Sequence, residues 1–332
     1  MKMNNKSTIP KLLYLVMTNK CPLDCSFCFN KFVTNFAKCG DKPLSLMKIC
    51  SVMDDFKPDM VNFIGGEPLL FPKRILEVLE LYKDMKIAWY ISSNLYYKEF
   101  SDLQMEVFRK LQEYSVEEVT IGTSYNLDRF KNKPEYFELF KKNMLFLDSQ
   151  GIKVGVTVTI TKDQTKISVD ELYSLLKEVK AKAVNLERCI HAFPNNEKEK
   201  EELVKEYELA DEYMCECFKK LPRELNFQFD RFYEAVKFRV PIFYPHCSEA
   251  VLSLYDHGLY KSCPLNTQDM EKHNFIDKIE SFKCYSCEYF PYCKGDCECV
   301  RGICAFPKKT IQYIKDIVHE DMMRNKGEDS NE

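Results

Sequence analysis

The chain is predicted to be an α/β fold with a small cysteine-rich segment near its carboxyl end. Three observations predict this. Short apolar runs alternate with amphipathic stretches from residue 11 to about 190, and the alternation repeats six times at intervals of roughly 25–35 residues. The sixteen cysteines in the 332 residues are clustered, not spread. Repeats of strand then helix at that interval signal a parallel sheet with crossover helices. Six units are two short of a closed eight-fold barrel, so an open partial barrel and a doubly wound sheet both fit.

The elements follow in order. "KLLYLVMT" (11–18) is a buried strand that ends just before the first cysteines, and "SLMKICSVMDDF" (45–56) has helical apolar spacing behind a possible Ser45 cap. Strands are expected at 60–66, 86–94, 116–124, 152–160 and 183–190, and helices at 74–85, 99–113, 134–149 and 168–181. A long helix follows over 197–221, where Leu203, Tyr207, Ala210, Met214, Cys217 and Leu221 recur every three or four residues as one apolar stripe. Cys217 is therefore read as core. Alternating apolar residues (Leu225, Phe227, Phe229) lead to the second cysteine block, and within it "SEAVLSLYDHGLYKS" reads as a hairpin turning at Asp-His-Gly. One more amphipathic segment lies near 309–323, before a polar tail.

Composition narrows the class. A hydrophobic fraction of 45%, a charged fraction of 30% and a net charge of −3 fit a globular protein and give no nucleic-acid footprint. The first residues lack the apolar core of a signal peptide, and no apolar run is long enough to span a membrane, so a cytoplasmic protein is expected. In a reducing compartment clustered cysteines point to metal more often than to disulfides. Three lie at Cys21, Cys25 and Cys28, and eight between Cys247 and Cys304. The other five, Cys39, Cys50, Cys189, Cys215 and Cys217, are scattered as small core residues are.

The first three cysteines follow strand one, at the carboxyl end where sheets of this kind collect reactive groups. A closed zinc site needs four ligands, so three thiols are either an incomplete zinc site or a centre with one position open. Strand two ends in Gly65-Gly66-Glu67-Pro68, strand three in Ser92-Ser93-Asn94, and strand four in a polar stretch holding Ser124. Paired glycines allow close backbone approach, and a carboxylate there accepts bonds from an amine.

Cys-x3-Cys-x2-Cys after strand one, Phe27 before the third cysteine, and GGEP after strand two resemble the radical S-adenosylmethionine (SAM) enzymes. The resemblance implies a partial (β/α)6 TIM-like barrel with a small cysteine-rich iron–sulfur carboxyl-terminal domain. It implies that Cys21, Cys25 and Cys28 hold a [4Fe–4S] cluster whose fourth iron binds SAM. Phe27 would lie against the adenine, Gly65, Gly66, Glu67 and Pro68 would contact the methionine amino group, and Asn94 and Ser124 would face the cofactor. The second block, Cys247, Cys263, Cys284, Cys287, Cys293, Cys297 and Cys304, resembles the SPASM extension, which implies two auxiliary [4Fe–4S] clusters. Cys284, Cys287, Cys293 and Cys304 would hold the outer cluster and Cys247, Cys263 and Cys297 the inner one, with Cys299 an available extra thiol. A pair of structural zinc sites is the plain alternative for this block.

The implied organisation is a radical SAM core over 1–195, a helical bridge over 196–240, a SPASM domain over 241–310, and a carboxyl-terminal helix and tail over 311–332. Relatives of this kind include peptide maturases, anaerobic sulfatase maturases and enzymes of haem precursors or other small molecules. The expectation is a maturase of a ribosomally synthesised peptide, served by a reductant such as flavodoxin or ferredoxin. Its catalytic strand begins near residue 11, which leaves no room for an amino-terminal leader-recognition domain, so a separate protein or the enzyme itself would recognise the leader. Cys189, near the end of strand six, is a catalytic candidate as hydrogen-atom donor against its plainer reading as core, and Arg188 a candidate carboxylate binder. A non-catalytic iron–sulfur electron carrier is the contrasting class, and GGEP argues against it.

Overall fold

The structure is a computed structural model that describes residues 10–28, 30, 38–130, 133–189, 196–239, 251–260, 287–293 and 306–328. Cys247, Cys263, Cys284, Cys297, Cys299 and Cys304 lie outside them. In chain order the elements are β1 (Leu12–Val16), α1 (Leu46–Phe56), β2 (Met60–Ile64), α2 (Pro72–Leu81), β3 (Ala88–Ser92), α3 (Asp102–Tyr114) and β4 (Ile121–Tyr125). They continue with α4 (Pro134–Ser149), β5 (Val154–Ile160), α5 (Val169–Glu178), β6 (Ala183–Arg188), α6 (Glu197–Lys220), α7 (Gln228–Phe238), β7 (Val251–Tyr255), β8 (Gly258–Tyr260) and α8 (Lys308–Glu328). Two compact units are present: residues 1–124, 134–155 and 246–267, and residues 125–133, 156–245 and 268–332.

In the first unit β1 pairs with β2, β2 with β3 and β3 with β4, all parallel. Each strand lies beside its predecessor. A doubly wound sheet reverses its order at a switch point, and no reversal occurs over β1–β4, so the winding is that of a partial barrel. On the far side of β1, β7 adds in parallel, with Leu12 opposite Val251, and β8 returns antiparallel. The hairpin expected around Asp-His-Gly is therefore present, and it extends the main sheet.

Strand alternation gives this sheet two faces. Leu13, Val61 and Trp89 share one row and Leu15, Phe63 and Ile91 another, all fully buried. Phe63 and Trp89 stack with ring centroids 5.8 Å apart. Burying Trp89 removes on the order of 200 Å² from water, about 5 kcal/mol as an upper bound. The opposite face carries Tyr14, Asn62 and Tyr90 in register, all half-buried, and Ser92, whose hydroxyl donates to Asn62 Oδ1 at 3.3 Å. Helix α3 starts with a capping box of Ser101 and Gln104. Ser45 does occupy the N-cap of α1, but its side chain makes no capping bond.

In the second unit α5 begins with another capping box, Ser168 and Glu171. The stripe expected on α6 is buried: Leu203, Tyr207, Ala210, Met214 and Cys217 on the helix, with Leu221 just beyond it. Cys215 is buried too, its thiol 3.6 Å from the Lys309 carbonyl. Asp211 of α6 caps α8 from outside. Its carboxylate accepts from the Lys309 amide at 2.7 Å and from the Thr310 amide and hydroxyl at 3.1 and 2.8 Å. A negative charge there meets both orphan first-turn amides and the positive end of the helix dipole.

The segment 228–238, inside the stretch expected as a helical bridge, is helix α7, with Phe229, Phe232, Ala235 and Val236 buried; the alternation at Leu225, Phe227 and Phe229 forms no strand there. Just before it, Val184 and Asn226 form an isolated parallel bridge.

Candidate metal centre

Cys21, Cys25 and Cys28 lie on the loop that leaves β1, none of them in a disulfide and all three half-buried. That loop is held mainly by backbone. The Gly66 amide donates to Thr18 O at 2.6 Å, and the Glu67 amide donates to Lys20 O at 2.8 Å. The contact explains the paired glycines. A Cβ at Gly65 would stand 2.3 Å from Thr18 O, and Gly65 has φ +147°, a conformation that side chains rarely adopt. A Cβ at Gly66 would stand 2.2 Å from Lys20 O. The glycines thus let the end of β2 touch the start of the cysteine loop, a partner the sequence did not identify. Asn30, beyond the third cysteine, donates its side-chain amide to Gly65 O at 3.0 Å.

Glu67 is fully buried, and both its oxygens are engaged inside the protein. Oε1 accepts from the Leu69 amide at 3.1 Å and the Ser93 hydroxyl at 2.9 Å, and Oε2 accepts from the Asn94 amide at 2.8 Å. The carboxylate read from the sequence as an acceptor for an amine ties the ends of β2 and β3 together. Pro68 opens the short turn Pro68–Leu70 and is buried beside it. Asn94, positioned by this tie, donates Nδ2 to Cys21 Sγ at 3.4 Å, and its Oδ1 accepts from the Tyr96 amide at 2.7 Å. Leu95 next to it has φ +54°, and buried Asn143 of α4 fixes that turn by donating to Leu95 O and Tyr97 O at 2.7 and 2.8 Å. Phe27 and Ser124 are half-buried, on the cysteine loop and at the end of β4.

Burial raises the Cys21 thiol, with the Leu23 backbone bond opposing it; a bound metal would offset the cost of losing that proton. Burial also pushes Glu67 up to about 7, against the bonds from Asn94, Leu69 and Ser93. A carboxyl raised on folding makes the native state bind more protons than the unfolded one between the two values. The stability it contributes is complete below the unfolded value and is lost as pH rises through about 7. Between pH 5.5 and pH 8 the apo protein is expected to lose about 2 kcal/mol from this group. Glu67→Gln stays neutral and should lack that loss, at the cost of opposing one amide donor with another, about 1–3 kcal/mol. Urea midpoints of both proteins at the two pH values test this; identical slopes would contradict it.

The donor set suits an iron–sulfur cluster with one open position. Only three thiols lie on the loop, and the next in sequence, Cys39, is buried against β7 with Asp256 beside its thiol. Residues 15–176 match the Radical SAM superfamily. This stretch is a radical SAM domain. The match implies SAM and a [4Fe–4S] cluster, and the three cysteines, the glycine turn and Asn94 all lie within the matched residues. A relative, the 7-carboxy-7-deazaguanine synthase of Methanocaldococcus jannaschii, is 30% identical over 139 residues, which take in 32% of this chain and 56% of the relative. The match therefore spans little more than half of that relative's length.

Outside the radical SAM match, Cys189 follows β6, buried, with its amide on Ile160 O at 3.0 Å and its thiol pushed up to about 12 by burial. Arg188 places its guanidinium 5.8 Å over the Tyr207 ring. Of the second cysteine block, Cys287 is half-buried, and the backbone of Cys293 closes the single-turn helix Phe290–Cys293. No helix among the described residues is long and apolar enough to cross a membrane.

Proposed function

We propose that the chain is a radical SAM enzyme that abstracts hydrogen from a C–H bond of a ribosomally synthesised peptide, with auxiliary [4Fe–4S] clusters on its carboxyl-terminal cysteines. The observation that carries the radical chemistry is the three-cysteine loop bonded to the Gly65–Glu67 turn inside the matched domain. When bound, the cluster and SAM supply a one-electron cleavage to methionine and a 5′-deoxyadenosyl radical, which takes the hydrogen atom. Cys21, Cys25 and Cys28 are the iron ligands, and Asn94 orients Cys21 through its 3.4 Å bond. Phe27 would lie against the adenine. The backbone of Gly65–Pro68 and the rim at Ser124 would meet the rest of SAM, with the Glu67 carboxylate holding that turn to β3. The half-buried row Tyr14, Asn62 and Tyr90 offers polar groups to the substrate.

The spacing of the cysteines from Cys247 to Cys304 supports the peptide reading, because it resembles the SPASM block of peptide maturases. A small-molecule substrate is the second reading, favoured by the relative named for synthesis of 7-carboxy-7-deazaguanine. Deoxyadenosine release from the reduced, reconstituted enzyme separates them. Release stimulated by a co-encoded peptide that gains a mass change supports the first. Stimulation by small molecules and by no peptide overturns it, and an absence of release under all conditions overturns the radical reading itself.

A further inference from the structure

Cys39, Asp256 and His257 come together from opposite ends of the chain. Their ligand-type atoms all lie within 4.8 Å of one another, a thiol, a carboxylate oxygen and an imidazole nitrogen. We propose that these three side chains bind one zinc-class divalent ion that fastens the exit of the cysteine loop to the β7–β8 hairpin. The inference does not depend on the reaction the enzyme performs.

The surroundings hold the ligands in place before any ion arrives. Asp256 Oδ2 accepts from the Gly40 amide at 2.8 Å, and Oδ1 lies 3.0 Å from His257 Nδ1. Gly40 admits that approach, since a Cβ there would already be 3.2 Å from Oδ2. The Cys39 carbonyl is fixed by Asn19 Nδ2 at 2.6 Å, and Cys39 packs at the carboxyl ends of β1, β2 and β7 with Val16, Ile64 and Tyr255. The His257 ring packs 5.3 Å from that of Tyr255, and the Lys48 ammonium is on the Asp256 carbonyl, not on its carboxylate.

Thiolate, imidazole and carboxylate together are the borderline donor set that zinc accepts, at about 2.0–2.3 Å each. Ligands at those bond lengths stand roughly 3.5 Å apart in a tetrahedron, so a small inward movement of the half-exposed Asp256 and exposed His257 closes the set. Three protein ligands leave the fourth position to water on the solvent side. Binding is balanced by release of one proton from the Cys39 thiol.

The test is metal content and zinc-edge absorption on the full chain, anaerobically reconstituted with iron, given one equivalent of zinc and desalted. One zinc per chain is expected, with one sulfur neighbour and the rest nitrogen or oxygen. His257→Ala, at an exposed turn where folding is not at risk, should weaken zinc about tenfold or more and leave iron content unchanged. Cys39→Ser should lose the sulfur neighbour, and zinc should raise the thermal midpoint of the wild type and not of His257→Ala. Zinc bound through four sulfurs, zinc retained in full by His257→Ala, or no zinc bound by the wild type would each overturn the proposal.

Discussion

With Cys21, Cys25 and Cys28 all replaced by alanine, deoxyadenosine formation from SAM is expected to fall to background. Iron is expected to drop by about four per chain, the content of one cysteine-ligated cubane cluster. The effect is all or none because the loop from Met17 to Lys38 offers no other thiol, and without thiolates nothing there holds iron. The fold should survive. The three cysteines are only half-buried, and the loop start is held by the Gly66 and Glu67 amides, which the substitutions leave alone. A thermal midpoint close to that of cluster-free wild type would show that only the ligands were lost. Undiminished deoxyadenosine production by the triple variant would refute the assignment of this loop.

Gly66→Ala is expected to have the next largest effect. The new methyl would stand 2.2 Å from Lys20 O and 2.5 Å from Asn19 O, both backbone atoms that cannot swing aside. Either β2 or the cysteine loop must shift, breaking the 2.6 Å bond from Gly66 to Thr18 O and the 2.8 Å bond from Glu67 to Lys20 O. The cost is about 3 kcal/mol or more, at the upper end of overpacking penalties with backbone bonds lost in addition. Cluster assembly should suffer with it, because that backbone contact sets the cysteine loop against β2. Gly151→Ala is the matched control. Gly151, unlike Gly66, has positive φ, +72°, but nothing lies within 4 Å of its Cβ position, so only the dihedral penalty of about 1 kcal/mol applies and no clash. Denaturant midpoints and iron content after reconstitution, measured for both, check the pair. Equal losses would mean that steric contact at Gly66 is not what matters.

What the sequence by itself determined was local. The strands and crossover helices of residues 11–190 appear because period 2 and period 3.6 are written in neighbouring residues, and the α6 stripe and two capping boxes are local in the same way. The three-cysteine loop was legible for the same reason, as spacing after a strand. The bounds of helix α7, inside the expected helical bridge, were not: Leu225, Phe227 and Phe229 alternate, and the helical set Phe229, Phe232, Ala235 and Val236 starts only where that alternation ends. The tertiary structure decided everything that needed a distant partner. It turned Glu67 inward, because the Ser93 hydroxyl and Asn94 amide at the end of β3 offered a buried carboxylate the donors it needs. It gave Gly65 and Gly66 a backbone neighbour in Thr18–Lys20. It set Asp211 of α6 on the amino end of α8, and it brought Cys39 to Asp256 and His257 across more than 200 residues. A side chain's type fixes which bonds it can make, but only the packed chain fixes which donor or ion stands within reach.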